Sequence, residues 1–406
     1  MKIGSDKKLS VVWLAPYPLH LHQNDLLWAR TRLAGHSCSW VVNLARALVT
    51  RPDIELQIVT LCAGVSTTQS FTHTDGYKVH VVKCGIPWLH RGFPSYAPLD
   101  AYMGYHFERS SLVKKVCEIS PDLVHAHGTE YAYGLAAMDA KIPWVVSVQG
   151  IITDYLRTNP CLLYRYVSPL ENQVLRAARY VGGRTHYDKG YVSNVNPDAT
   201  LLDMPEAMNN CFFAEQWKDV ENRRIVFVGN CEPRKGLRRL IEALGIISGE
   251  YPDMALEVVG GSSQKQREEI LEMSRSLNIT LNFHGYMNSR EIAALHRECC
   301  CFVIPSENEN SPNTLAEAMA SGMPCVAYDT GGIASMIEHD VSGLLVRFGD
   351  AERLAHSISE IFTDKELRNN LSKNARQHAE RNRPGKVAEV TREAYQKIIK
   401  DWDSLI

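Results

Sequence analysis

Two carboxylates stand eight positions apart in the stretch ENSPNTLAEAM, at Glu309 and Glu317. An apolar run, CFVIPS, precedes them and reads as a strand; a helical pattern follows. Ser311 is placed as the helix N-cap, with Pro312 at the first helical position. Glu309 then lies in the loop before the helix and Glu317 on its second turn. Between them, the N–H groups of Asn313 and Thr314 point out of the positive end of the helix dipole, which suits a phosphate. A carboxylate inside the helix can accept hydrogen bonds from two vicinal hydroxyls, as on a ribose. A carboxylate in the loop can do the same for a sugar. The layout fits a sugar, a phosphate and a ribose in line. The bland reading is a solvated Glu317; its neighbours Leu315, Ala316, Ala318 and Met319 speak against it.

A second segment, VGNCEPRKG, follows a strand pattern and opens another helix. It carries Arg234 and Lys235 at the turn, with Arg238 and Arg239 one helical turn on. Lys235 could neutralise a diphosphate leaving group, where charge develops in the transition state. A cation at a helix start opposes the dipole, so a bound anion is favoured over a merely solvated basic turn. In VAYDTGGIASM a strand runs into Gly331-Gly332, whose missing side chains would let backbone approach a ligand closely; an ordinary glycine turn is the alternative.

In the N-terminal half, DLVHAHG ends a strand with His127 and Gly128. His127 can hydrogen-bond a sugar hydroxyl without titrating. His125 shares its face and is read as a core histidine. Gly35 and His36 could place a helix N-terminus against phosphate. The loop Leu19–Leu33 mixes Leu26, Leu27 and Trp28 with Arg30 and Arg32. A lid or packed loop is favoured there; contact with a membrane surface is the second reading.

These residues need a scaffold that collects strand ends. The chain has 406 residues, 45% hydrophobic and 22% charged, with a net charge of −2. That is the profile of a globular protein of two domains, without the basic field that nucleic acid would require. Eleven cysteines show no zinc spacing and read as reduced thiols. No run approaches the length of a membrane span. Short strand patterns alternate with helical ones from Ser10 to Arg179, among them Leu99–Ile119, and the rhythm restarts after Phe213–Asn222. The expectation is an α/β chain of two Rossmann-like, doubly wound domains, 1–216 and 217–385, facing one another across a cleft. Ligands in such sheets sit beyond the carboxyl ends of the strands.

With these motifs in order, the chain resembles the retaining glycosyltransferases of the GT-B fold, the GT4-like group also called glycosyl transferases group 1. The resemblance rests on VGNCEPRKG, FHGYM, IPSENENSPNTLAEAMASGMPCVAYDTGG and SGLLV, with AGHSCSWVVNLARAL and PDLVHAHG in the first half. It implies that Glu309 contacts the donor sugar, Glu317 the ribose hydroxyls, Lys235 the diphosphate and His127 the donor sugar. It implies that the N–H groups of Asn313 and Thr314 reach the diphosphate, and that Tyr286 and Met287 flank the base. The chain departs from the pattern at Asn230, where the family often has arginine; Arg234 is a candidate to supply that charge. It departs again at Asn310, Ser311 and Pro312, where glycines are usual, at Ser335 where glutamate is frequent, and at Gln149 where a strand often ends in histidine. The family's last helix often returns to the first domain, and 386–406 has the pattern for that. Asp401-Trp402-Asp403 resembles a metal motif by chance, and the group usually needs no metal or other cofactor.

The function implied is transfer of a hexose, with retention, from a UDP-, GDP- or ADP-linked sugar to a hydroxyl of a saccharide or lipid-linked acceptor. A surface-polysaccharide or glycoconjugate pathway is expected. So is a cytoplasmic location, either free or peripheral at the inner membrane face. The rivals are a nucleotide-sugar epimerase on a similar fold, a catalytically weak scaffold or binding subunit, and a glycosidase with two carboxylates.

Overall fold

The computed structural model describes residues 8–20, 38–62, 64–84 and 98–404. It divides into two units: Met1–Ala207 with Pro384–Ile406, and Met208–Arg383.

The first unit is built on β1 (Leu9–Leu14), β2 (Ile54–Cys62), β3 (Gln69–Thr72), β4 (Lys78–Lys83), β5 (Leu123–His127), β6 (Trp144–Ser147), β7 (Tyr180–Gly183) and β8 (Thr200–Asp203). Their order is β3-β4-β2-β1-β5-β6-β7-β8, parallel except for the edge strand β3. The order reverses between β1 and β5, which makes their carboxyl ends the switch point of the sheet. The central strands are apolar on both faces because helices cover both: Val11, Val12, Trp13 and Leu14 are fully buried. The helix Pro384–Asp403 belongs to this unit and packs against the helix Ser39–Leu48. Its Tyr395 hydroxyl accepts from Trp13 Nε1 at 2.8 Å and pairs with His125 Nδ1 at 2.6 Å.

The second unit contains β9 (Arg224–Val228), β10 (Ala255–Val259), β11 (Thr280–Gly285), β12 (Cys301–Ile304), β13 (Cys325–Asp329) and β14 (Leu344–Arg347). All are parallel, in the order β11-β10-β9-β12-β13-β14. The switch point lies between β9 and β12.

The structure differs from the sequence-based expectation in several places. The second unit begins at Met208 rather than 217, because Phe212, Phe213 and Trp217 are buried in its core and Trp217 Nε1 donates to Cys299 O at 2.8 Å. The stretch Leu99–Ile119 is two helices, Leu99–Tyr102 and His106–Ile119, separated where Tyr105 takes a left-handed backbone. The sequence pattern places the adjacent Cys299, Cys300 and Cys301 on one strand, whereas only Cys301 lies in it; all three are buried, and all eleven cysteines are free.

Candidate functional site

Loops leaving β9 and β12 converge at the switch point of the second unit. After β9 the chain makes a short 3-10 turn, Pro233–Lys235, and then enters the helix Leu237–Ile247. Gly236 joins the two at φ 77°, and a Cβ there would lie 1.9 Å from the Pro305 carbonyl oxygen. Only glycine allows the β9 loop to press this closely on the end of β12. The contact is extended by Glu307 N, which donates to Arg234 O at 2.8 Å. On the other side, Gly331 (φ 55°) would place a Cβ 2.0 Å from Glu309 O, and Gly332 N donates to that same oxygen at 2.8 Å. The paired glycines thus make their close approach to the Glu309 backbone.

Clamped from both sides, Glu309 is buried and meets Lys235: Nζ donates to Oε1 at 2.5 Å, with Arg234 Nη1 at 4.0 Å from the same oxygen. Arg234 also pairs with Glu232, Arg239 with Glu307 and Arg238 with Glu269. The two readings of these cations, a bound anion or a merely solvated basic turn, both left out the carboxylate partner that each has in the fold. The dipole argument did not foresee these carboxylates, which come from the β9 loop itself, from the loop after β12 and from the helix Gln264–Ser276.

A second correction concerns Ser311. The helix runs Asn313–Ser321, Pro312 is its N-cap residue, and no side chain caps it. Leu315 N and Ala316 N already bond to Pro312 O, at 3.1 and 3.2 Å. The N–H groups of Asn313 and Thr314 precede these and have no place in the intrahelical ladder. Glu317, one turn on, is 8% exposed, which excludes the solvated reading.

Asn230, where the resemblance leads one to expect arginine, accepts from Gly261 N through Oδ1 at 3.2 Å and so ties the β9 loop to the β10 loop. The Tyr286 ring lies against Gly261 yet is 83% exposed, and Met287 packs onto the core. The carboxyl ends of β9, β10 and β11 thus carry Asn230, Gly261 and Tyr286 as one surface.

In the first unit His127 closes β5 at that sheet's switch point. It is buried between Trp13 and His125, with ring centroids at 4.6 and 4.0 Å, and its Nε2 has no hydrogen-bond partner among the described residues. Burial, seconded by the charge of Arg184, pushes its pKa down to about 3, so the ring is neutral at pH 7. His125 is satisfied by Tyr395 and by Ser147 Oγ at 2.7 Å.

The sequence reading missed the polar groups behind His127. Glu130 accepts from Gly150 N at 2.7 Å, and burial pushes its carboxyl up to about 7. Glu171 accepts from Thr129 Oγ1 and Ile152 N, both at 3.0 Å, and from Tyr191. Arg184 is buried, donates to the Val148 and Gln149 carbonyls and pairs with Glu206 at 2.6 Å. Glu130 had a visible signal, a polar residue just past a strand end in HGTE; Glu171 and Arg184 had none. Gly35, His36 and residues 21–33 of the basic, apolar loop lie outside the described residues. Among the described residues no cluster of His, Cys, Asp and Glu could hold a metal ion, and no helix is long and apolar enough to cross a membrane.

Comparison with known proteins gives the same division. Residues 211–378 match the family model of glycosyl transferases group 1, and residues 15–200 match that of the glycosyl transferase 4-like domain. A putative glycosyltransferase of Bacillus subtilis is 30% identical over 40% of this chain and 42% of its own. A D-inositol 3-phosphate glycosyltransferase of Salinispora arenicola is 30% identical over 38% and 37%. The matched region thus spans less than half the length of these curated relatives. Among solved structures, a sucrose-phosphate synthase from Thermosynechococcus elongatus superposes with a TM-score of 0.77 at 18% identity, covering 97% of this chain and 100% of that one. The Anabaena protein HepE in complex with UDP does so at 0.66 and 17%, covering 96% and 100%. The fold is GT-B, and with both halves matched, the chain belongs to the GT4-like, group 1 glycosyltransferase family.

Proposed function

We propose that this protein transfers a hexose from a nucleotide diphosphate sugar to a hydroxyl of a saccharide or lipid-linked acceptor, with retention at the anomeric carbon. The observation that carries the reading is the meeting of Lys235 Nζ and Glu309 Oε1 at 2.5 Å, at a switch point beside a helix N-terminus that no side chain caps. In the proposed step the bond from the anomeric carbon to the β-phosphate oxygen breaks. The charge left on the diphosphate is met by the Lys235 ammonium and the Asn313 and Thr314 N–H groups. The acceptor oxygen bonds to the same face of the sugar and its proton passes to the departing phosphate oxygen. Glu309 orients the donor sugar, Glu317 the ribose, and His127 a sugar hydroxyl. Lys235 shares its charge between Glu309 and the diphosphate, which supplies the counter-charge a metal ion would otherwise bring.

The structural likeness to a protein crystallised with UDP supports UDP as the first donor nucleotide to try. A place in surface-polysaccharide or glycoconjugate synthesis, in the cytoplasm, belongs to the same proposal. The test is to incubate the protein with UDP-, GDP- and ADP-hexoses, with and without acceptor sugars, and to assign the anomeric configuration of the product by NMR. The reading expects acceptor-dependent release of nucleoside diphosphate and a retained anomer. An inverted product would remove retention, and a donor epimerised without acceptor would replace the transferase by an isomerase.

A further inference from the structure

We propose that the first unit docks on an anionic lipid surface through an apolar patch formed by Leu99, Tyr102, Met103, Phe107 and Leu162. The proposal names a surface and a partner that the transferase reading neither requires nor excludes.

The first observation is where the exposed apolar side chains lie. Nine large hydrophobic residues are exposed among the described residues. Ile246, Tyr286, Val341 and Phe348 come from separate helices and loops of the second unit. The other five fall in two short segments of the first unit, and those segments touch. The Tyr102 ring meets the Tyr166 ring edge-on, with centroids at 5.3 Å, and Gly104 lies beside Leu170. Leu162 stands one turn before Tyr166 in the helix Leu162–Ala177. Leu99 and Met103 flank Tyr102 in its own turn, and Phe107 lies in the first turn of the helix His106–Ile119. Tyr102 is 67% exposed and Leu162 54%. Single exposed hydrophobics are ordinary, but a contiguous group marks a surface that meets something else.

The second observation is charge. Between 98 and 115 and between 151 and 173 the carboxylates are Asp100, Glu108, Asp154 and Glu171. The last three are buried, and Asp100 is half-buried and accepts from Ala101 N at 2.9 Å. The cations of the same segments stand outside. Arg165 is exposed beside Tyr166, and Lys114 is exposed two turns on from Phe107, on the same helix face. Arg157 reaches Asp154 at 3.3 Å, yet its side chain stays 76% exposed. The exposed charge that these segments carry is therefore positive. A two-fold contact with a second copy of the chain would set these cations against one another. An anionic bilayer would neutralise them, and tyrosine and phenylalanine suit the headgroup layer. The third observation is position. The helices His106–Ile119 and Leu162–Ala177 run back from the carboxyl edge of the sheet to feed β5 and β7, and the patch sits on their first turns. Docking there brings the carboxyl ends of the strands, where ligands sit in such sheets, close to the headgroups.

The test is co-sedimentation of the full chain with vesicles of phosphatidylcholine alone, or of phosphatidylcholine and phosphatidylglycerol in equal parts. The wild type should sediment with the anionic vesicles far more than with the neutral ones, and added salt should weaken the binding. Tyr102→Ser combined with Phe107→Ser should weaken it by about tenfold or more. Arg157→Glu combined with Arg165→Glu should weaken it by about thirtyfold or more. Ile246→Ser, which removes an equally exposed apolar side chain from the second unit, should bind as the wild type does. Melting temperature reports whether each variant is folded, and these surface changes should leave it nearly unchanged. No binding of the wild type to anionic vesicles, equal binding to neutral ones, or unchanged binding by the folded patch variants would each overturn the proposal. So would an Ile246→Ser protein that loses as much as the Tyr102→Ser, Phe107→Ser one. A dimer in analytical ultracentrifugation that the latter variant dissolves, without vesicle binding, would give the patch to a second copy instead. Vesicle binding uses no donor, so each of these outcomes leaves the transferase reading standing.

Discussion

Lys235 and Glu309 can serve each other or a donor, and this competition is open to test at the scale of single residues. With the ammonium 2.5 Å from the carboxylate, a diphosphate must share the lysine. Replacing Glu309 by Gln should leave or improve nucleoside diphosphate affinity, by up to about tenfold, because the lysine loses its anionic partner. The same change should lower turnover by about tenfold or more, because the sugar loses a charged acceptor. Lys235→Ala should cost about 10²–10³ in kcat, the usual loss when a group facing developing charge is removed. Titration calorimetry with UDP, set beside steady-state kinetics, separates the two effects. Equal losses of affinity in both variants would refute the competition. Both residues were legible in the sequence because each stands just past a strand and at a helix start, where little else places a charged side chain. Their mutual pairing was not legible, since it depends on β9 and β12 being neighbours, which brings together two residues 74 positions apart. Glu130 was overlooked for a similar reason: its strand-end position was visible, but its environment is made by Gly150, Glu171 and Arg184, which come from three later segments.

Loop shape is decided at the scale of elements, by two glycines. Gly236→Ala would drive a Cβ to within 1.9 Å of the Pro305 oxygen from a left-handed backbone. The loop must move, and the variant should lose about 1–3 kcal/mol of stability and much of its activity, although it alters no side chain of the site. Denaturant unfolding together with turnover checks this; a stable, active Gly236→Ala protein would show that the loop contact positions nothing. In the sequence, Gly331-Gly332 was visible as a glycine pair but not for what it touches. The long, apolar, regularly spaced elements, such as β1, β9 and the helix Leu237–Ile247, were readable from their pattern. The four-residue strands β3, β7 and β8 were not: YVGG and TLLD carry too little alternation or β-branching to stand out, and their neighbours in the sheet hold them.

At the scale of the whole molecule, buried polar groups tie distant parts of the chain together and set its response to acid. Tyr395, from the last helix, joins Trp13 of β1 and His125 of β5. Tyr395→Phe would orphan both partners and should cost about 1–3 kcal/mol, readable as a lower denaturant midpoint. His80, His127 and His296 have pKa values pushed down to about 4, 3 and 3, chiefly by burial. Their folded values lie below the unfolded value near 6.5, so between those limits the unfolded chain binds more protons and stability falls as pH falls. By pH 5 the loss approaches about 2 kcal/mol for each of the fully buried His127 and His296. Glu130, raised to about 7, acts with the opposite sign and offsets part of it. Unfolding midpoints at pH 7 and pH 5 should show the net decline, and a His296→Phe variant should show a smaller one. No decline at all would mean that the histidines are not held neutral.

The proposed function requires the β9–β12 switch point to be a nucleotide-sugar site in which Glu317 binds the ribose. Calorimetric titration of UDP, GDP, ADP and CDP into the wild type and a folded Glu317→Ala variant tests it most directly. One nucleotide should bind the wild type clearly better than the others, and Glu317→Ala should weaken it about 10- to 100-fold, the worth of hydrogen bonds to a charged group. No binding by any of the four, or equal binding by the variant, would mean that Glu317 holds no ribose there.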